Sequence, residues 1–179
     1  MAPKAYIDAC CIIEAVKGRR GLPLDHPADE VDMIQRIMRA ANDGAISLYT
    51  SMITVAEVLH LGTKPPPPDL KPYIERLILS GRNGVVAVAP SPMIVTLARD
   101  LAVDEGLWER VADRIHVATA LNVGCTEFLS VDDRLAKRIG QSQVHTCRII
   151  SPSATSALPM EYKINDLFQG QAAHGNKKD

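Results

Sequence analysis

Aromatic side chains are scarce: the 179 residues include two Phe, one Trp and four Tyr, 4% of the chain. A platform that stacks single-stranded bases is therefore not the main binding device. Long apolar runs are missing as well. The N-terminal stretch MAPKAYIDACCIIEAVKGRRG holds roughly ten apolar residues broken by Asp8 and Glu14, which suits neither a signal peptide nor a membrane span. The expected location is cytoplasmic, with no membrane partner. Charge of one sign is not in excess either: 20 basic against 21 acidic residues leave a formal net charge of −1. Any affinity for nucleic acid must come from a local patch, so the charge neither supports nor excludes such a partner. No glycine-rich turn follows AYID, which argues against a dinucleotide-binding fold. Cysteine is present only at positions 10, 11, 125 and 147, without CxxC or Cys/His spacing, so zinc is not indicated and the thiols read as reduced core residues.

What is present is 46% apolar residues, enough for the core of one domain. Short apolar runs (AYID, ISLYT, VVAVA, EFLSV, CRIIS) alternate with helical patterns, as strands buried on both faces and their crossover helices do. The expected class is α/β: a three-layer α/β/α sandwich around a mainly parallel sheet of about five strands. Residues 1–152 form the expected domain. Residues 153–179 form a C-terminal extension, partly disordered, because QGQAAHGNKKD has little to bury. Ser51 or Thr50 should cap the helical run from 51 to 61, and Ser91 followed by Pro92 should open the helix after VVAVA. Trp108 reads as a packing anchor and Pro65 to Pro68 as a stiff polyproline loop.

Four carboxylates resist explanation as packing: Asp8 closing KAYID, Glu57 inside SMITVAEVLHLG, Asp113 in ERVADRIHVATAL, and Asp132 after EFLSV. Their neighbours are mostly apolar or small, and ionised carboxylates in such surroundings are costly unless paired or bound to metal. Asp8 and Asp132 fall at the carboxyl ends of strands, the edge where open α/β sheets bind ligands. On the helix RVADRIHVATAL, Asp113, His116, Val117 and Ala120 share one stripe. Singly, each acid has a plainer reading. Asp132 or Asp133 suits an N-cap, Glu57 a solvent face, and Asp113 an ion pair with Arg110 or Arg114. A shared hard cation such as Mg²⁺ explains all four together. His116 reads as a packed histidine beside the site, since hard cations prefer oxygen.

The ordered motifs YIDAC, TVAEV, ADRIHVATA and FLSVDDRL resemble the PIN-domain ribonucleases, especially the toxins of bacterial VapBC-type toxin–antitoxin pairs, over roughly Lys4 to Ile150. The resemblance implies a PIN-like fold and hydrolysis of RNA phosphodiester bonds with Mg²⁺ or Mn²⁺. It places Asp8, Glu57, Asp113 and Asp132 at the four acidic catalytic and metal-binding positions. Ser130 takes the small hydroxyl position, Asp133 stands next to the fourth acid, and Arg114 and Arg134 are candidates for contacting phosphate. Cys10 departs from the family's usual Ser, Thr or Asn. The implied partners are RNA, a cognate antitoxin and a second copy of the chain, with DEVDMIQRIMRAAN and the following helix as walls of an apolar groove for the antitoxin. Two other readings stand beside it: a PIN-like protein-binding module without turnover, and an RNA-processing nuclease with no antitoxin. A phosphorelay receiver domain is disfavoured, because the third strand ends VAVAPS without Asp and the fifth CRIISPS without Lys.

Overall fold

A computed structural model describes residues 2–59, 61, 66–81, 83–107, 110–139 and 143–164 of the chain. Trp108, Pro65 and the tail QGQAAHGNKKD lie outside these residues.

Strand β1 (Lys4–Ile7) leads into helix α1 (Ala9–Arg19) and α2 (Ala28–Asn42). Then come β2 (Ser47–Ser51), the short α3 (Ile53–Glu57), α4 (Leu70–Leu79), β3 (Val85–Val88), α5 (Pro92–Val103) and α6 (Val111–Asn122). The chain continues through β4 (Glu127–Leu129), α7 (Asp133–Ile139), β5 (Gln143–Val144), β6 (Cys147–Ile150), a 3-10 turn (Pro152–Ala154) and α8 (Met160–Lys163). The six strands form one sheet in the order β3-β2-β1-β4-β6-β5. All pairs are parallel except β5 with β6. The parallel α/β sandwich is as expected, with β5, two residues long, as an added antiparallel edge.

Side chains leave the strands alternately and build one core on each face. Ala5, Ile7, Leu48 and Leu129 pack with α1, α2 and α4, while Tyr6 and Phe128 pack with α5 and α6. Ser91 caps α5, its hydroxyl accepting from the Ile94 N–H at 3.3 Å, as the Ser-Pro pair predicts. The helix expected over 51–61 is only the five residues of α3. Its N-cap is Met52 without a side-chain bond, and Ser51 Oγ instead accepts from the Ile53 N–H at 3.4 Å. Gly84 lies at φ +71°, where a Cβ would come within 2.2 Å of the Ala41 carbonyl carbon, so α2 and β3 meet backbone to backbone.

Two carboxylates inside the sandwich serve the fold. Glu14, 2% exposed, accepts from the Asp25 and His26 N–H groups at 3.0 and 3.1 Å and pairs with Lys17 at 2.9 Å. Lys17, equally buried, also reaches Asp25, so it belongs to α1 and its following loop and not to a free basic patch. On β4, Glu127 is 1% exposed and binds Thr155 Oγ1, the Ser156 N–H and hydroxyl, and Arg148. Residues 155–157 are thereby fastened to the sheet, and Arg36 holds the next turn through the carbonyls of Tyr162, Lys163 and Ile164.

Burial alone would raise the Glu127 carboxyl, but the bonds from Ser156, Thr155 and Ala157 outweigh it and hold the group below its ordinary value of 4.5. A depressed folded pKa gives stability that is present above the unfolded value and lost as pH falls through the folded one. Glu127→Gln, which puts a donor where two donors already point, is expected to cost about 2 kcal/mol at pH 7. That corresponds to a fall in Tm of roughly 4–8 °C. Melting curves between pH 3 and 7 should show the difference from wild type shrinking below pH 4. An undiminished difference at pH 3 would rule out the carboxylate charge as its source.

Candidate functional site

Strand order sets the site. Chain connections leave β1 toward β2 on one side and return to β4 on the other, so the carboxyl ends of β1 and β4 flank the switch point of the sheet. Asp8 follows β1 directly. Its N–H donates to the Leu129 carbonyl at 3.0 Å, continuing the β1–β4 ladder, and its Oδ1 accepts from the Ala9 N–H at 2.8 Å as the N-cap of α1. The other oxygen, Oδ2, accepts from Ser130 Oγ at 2.9 Å and from Cys10 Sγ at 3.1 Å. Ser130, 6% exposed, also takes the Asp132 N–H at 3.1 Å. One hydroxyl thus couples the first and fourth acids. Cys10 fills the position of the expected hydroxyl or amide residue with a thiol that donates to the same carboxylate oxygen.

Asp132 retains a structural duty, because its Oδ1 accepts from the Arg134 N–H at 2.9 Å and so caps α7. The Arg134 side chain folds back onto the same oxygen at 3.2 Å and is 82% exposed, while Asp133 is exposed in the first turn of α7. Asp113 sits half-buried in the first turn of α6. Arg114, beside it, carries a buried Nε with no hydrogen-bond partner among the described residues.

His116 and Glu57 form the other half. His116 is 2% exposed and uses both ring nitrogens: Nε2 lies 2.6 Å from Glu57 Oε2 and Nδ1 2.5 Å from the Tyr6 hydroxyl. Tyr6, fully buried on β1, accepts in turn from the Ser51 N–H at 2.8 Å. Burial, then the nearby Asp8 charge, push the Tyr6 phenol well above its ordinary value, so it keeps its proton. Burial pushes the His116 imidazole down, but the Glu57 bond and the fields of Asp8, Glu57 and Asp113 outweigh it and hold the ring above 6.5. One imidazole therefore senses three of the four acids. Tyr6 was missed in the sequence because an apolar strand position gives no sign of a hydroxyl threaded through the sheet; the Asp113–His116 helical spacing was the available signal for its partner.

Carboxylate and hydroxyl oxygen is the donor chemistry that Mg²⁺ and Mn²⁺ take. Among the described residues no three His, Cys, Asp or Glu side chains stand close enough to hold a metal ion as they are. The donor set, carboxylate with hydroxyl oxygen, fits a hard cation in kind. Two cavities lie elsewhere. One of about 570 Å³ along α2 is lined by Arg19, Asp32, Arg36 and Arg39 together with Met38 and Leu77. Another of about 380 Å³ between α3 and α4 is the apolar one, lined by Val55, Val58, Leu59, Leu70, Ile74 and three prolines. No described helix is long and apolar enough to cross a membrane.

No curated protein matches the chain. Among solved structures, FitAcB from Neisseria gonorrhoeae is similar, at 22% identity and a TM-score of 0.49, over 84% of this chain and 99% of that one. The model of the PIN domain family matches residues 5–140, well over half of the chain and the span that carries Asp8, Glu57, Asp113 and Asp132. This chain belongs to the PIN domain family.

Proposed function

We propose that this protein is a Mg²⁺- or Mn²⁺-dependent ribonuclease, the cytoplasmic toxin of a type II toxin–antitoxin pair, which acts on RNA, forms a homodimer and is held inactive by a cognate antitoxin. PIN domains are nucleases, and the coarser reading, a nuclease, follows from the family. The observation that supports the finer one is the pair of networks at the switch point: Asp8, Ser130 and Asp132 on one side, Glu57 and His116 on the other.

Bound there, one or two divalent ions supply charge neutralisation at the phosphate and an activated water. Asp8, Asp113 and Asp132 would hold the ion directly or through water. Glu57 would ligate the ion or orient the attacking water with the oxygen that His116 leaves open. Ser130 keeps Asp8 turned toward Asp132, and Arg114 and Arg134 take the phosphate oxygens. No Ser, His or Cys nucleophile is needed.

Asp8→Asn keeps an N-cap for α1 and the shape of the side chain while removing its charge, and Asp113→Asn removes charge from the first turn of α6. Both variants should fold and should lose at least about a hundredfold in cleavage, the low end for a positioned catalytic group. A panel of structured RNAs with and without Mn²⁺ measures this. Cleavage at the wild-type rate by either variant would sink the assignment, and no cleavage by wild type under any condition would favour the binding-module reading.

Repulsion among the acids gives a second test that needs no substrate. A cation that binds only the folded state stabilises it by about 2.7 kcal/mol at a hundredfold excess over its Kd. Millimolar Mn²⁺ should raise the wild-type Tm by several degrees. Asp113→Asn should melt higher than wild type in EDTA and gain less from Mn²⁺. Identical wild-type curves with and without Mn²⁺ would show that these acids do not form one site.

A further inference from the structure

We infer that His116 is the positioning residue for Glu57: anchored to the sheet through Tyr6, it holds the Glu57 carboxylate toward the other acids and leaves one carboxylate oxygen for a cation or its water. This rests on the metal-dependent reading above and names the device that completes that site.

The need for such a device comes from Glu57's own backbone. Glu57 is the last residue of a five-residue helix, and the next residue leaves helical geometry at φ −80°, ψ 68°. So short a helix does not fix a long side chain by itself. Its side chain is 34% exposed, and among the described residues the one hydrogen-bond partner of its carboxylate is His116. A flexible glutamate at a water-facing edge would lose rotamer freedom to no benefit unless something inside the fold held it.

His116 can do so because it is itself immobilised. It lies in the middle of α6, 2% exposed, against Tyr6 edge to face with ring centroids 5.8 Å apart. Tyr6 is stacked on Phe128 at 4.8 Å and bonded to the backbone of Ser51, the last residue of β2. The chain Ser51 N–H, Tyr6 hydroxyl, His116 ring, Glu57 carboxylate joins β2, β1, α6 and α3 by three bonds of 2.8, 2.5 and 2.6 Å. An ionised carboxylate only accepts, so Nε2 carries the hydrogen it donates to Oε2. Oε1 has no partner among the described residues and is the atom left for the site. The arrangement is a carboxylate held by an imidazole from outside the coordination sphere, and removing such outer partners typically weakens metal binding 10–100-fold.

The test uses the full chain, Mn²⁺ titration calorimetry and ¹⁵N NMR of the imidazole. His116→Gln should weaken Mn²⁺ binding by about tenfold or more in the wild-type background and by less than twofold in a Glu57→Ala background, since the residue it acts through is then gone. Tyr6→Phe, which removes one oxygen and keeps the stacked ring, should give a smaller loss of the same kind and stands in if His116→Gln does not fold. The wild-type spectrum should show a hydrogen on Nε2 whose resonance shifts in Glu57→Ala. Equal losses for His116→Gln in the two backgrounds, or full Mn²⁺ affinity in both His116→Gln and Tyr6→Phe, would overturn the inference. Unchanged Mn²⁺ affinity in Glu57→Ala would overturn the metal role of Glu57; the Nε2 resonance then decides the tether, upheld by a shift in Glu57→Ala and overturned by none.

Discussion

Pairing of β1 with β4 is the constraint on which the rest depends. These two strands are far apart in sequence, and Ala5, Tyr6 and Ile7 lie in register with Glu127, Phe128 and Leu129. Because the ladder extends one bond further, from the Asp8 N–H to the Leu129 carbonyl, the first residues beyond the strands emerge side by side. Asp8 and Ser130 meet for that reason and not through any attraction between them. On the opposite face, the same register puts Tyr6 on Phe128, and Tyr6 is the anchor from which the His116–Glu57 link is built.

Much of this was legible in the sequence, and the legible parts share a cause. Asp8 and Asp132 end apolar runs, and runs of that kind in alternation with helices specify strands of a parallel sheet with a common carboxyl edge. Asp113 and His116 were placed on one stripe by helical spacing alone. What could not be read depends on partners distant in sequence. Glu127 looks like any residue opening the run EFLSV, and its partners Thr155 and Ser156 lie 28 and 29 residues later. Lys17 stands close to Arg19 and Arg20 in the sequence, but its charge is taken up inside the fold by Glu14 one helical turn back and Asp25 across the loop. The apolar pattern after β2 persists through Leu61 and predicts a long helix, but the chain leaves helical geometry at Val58.

Charge placement separates structure from candidate function. Glu14 and Glu127 are almost wholly buried, and each is bonded by several donors. Asp8 and Asp132 are each part-exposed, with oxygens bonded by neutral groups such as Cys10 Sγ and Ser130 Oγ or by the exposed Arg134, and Glu57 has only one of its oxygens held, by His116. A buried carboxylate with every lone pair engaged is a fixture of the fold. One at the sheet edge whose partners can be exchanged is chemically available.

The Glu127 clamp also orders the assembly of the molecule in time. Its acceptor oxygens sit in the fourth strand, while the hydroxyl and amide donors that offset their burial are made 28 and 29 residues later. Domains begin to fold from the N-terminus as they are synthesised. A nascent chain that has completed β1 to β4 still exposes an unsatisfied anion on its growing edge. Closure of the sheet by β6 and the strap at 155–157 comes after β1 to β4 in chain order, so the candidate site at the β1–β4 junction reaches full stability only once that later strap has docked on Glu127.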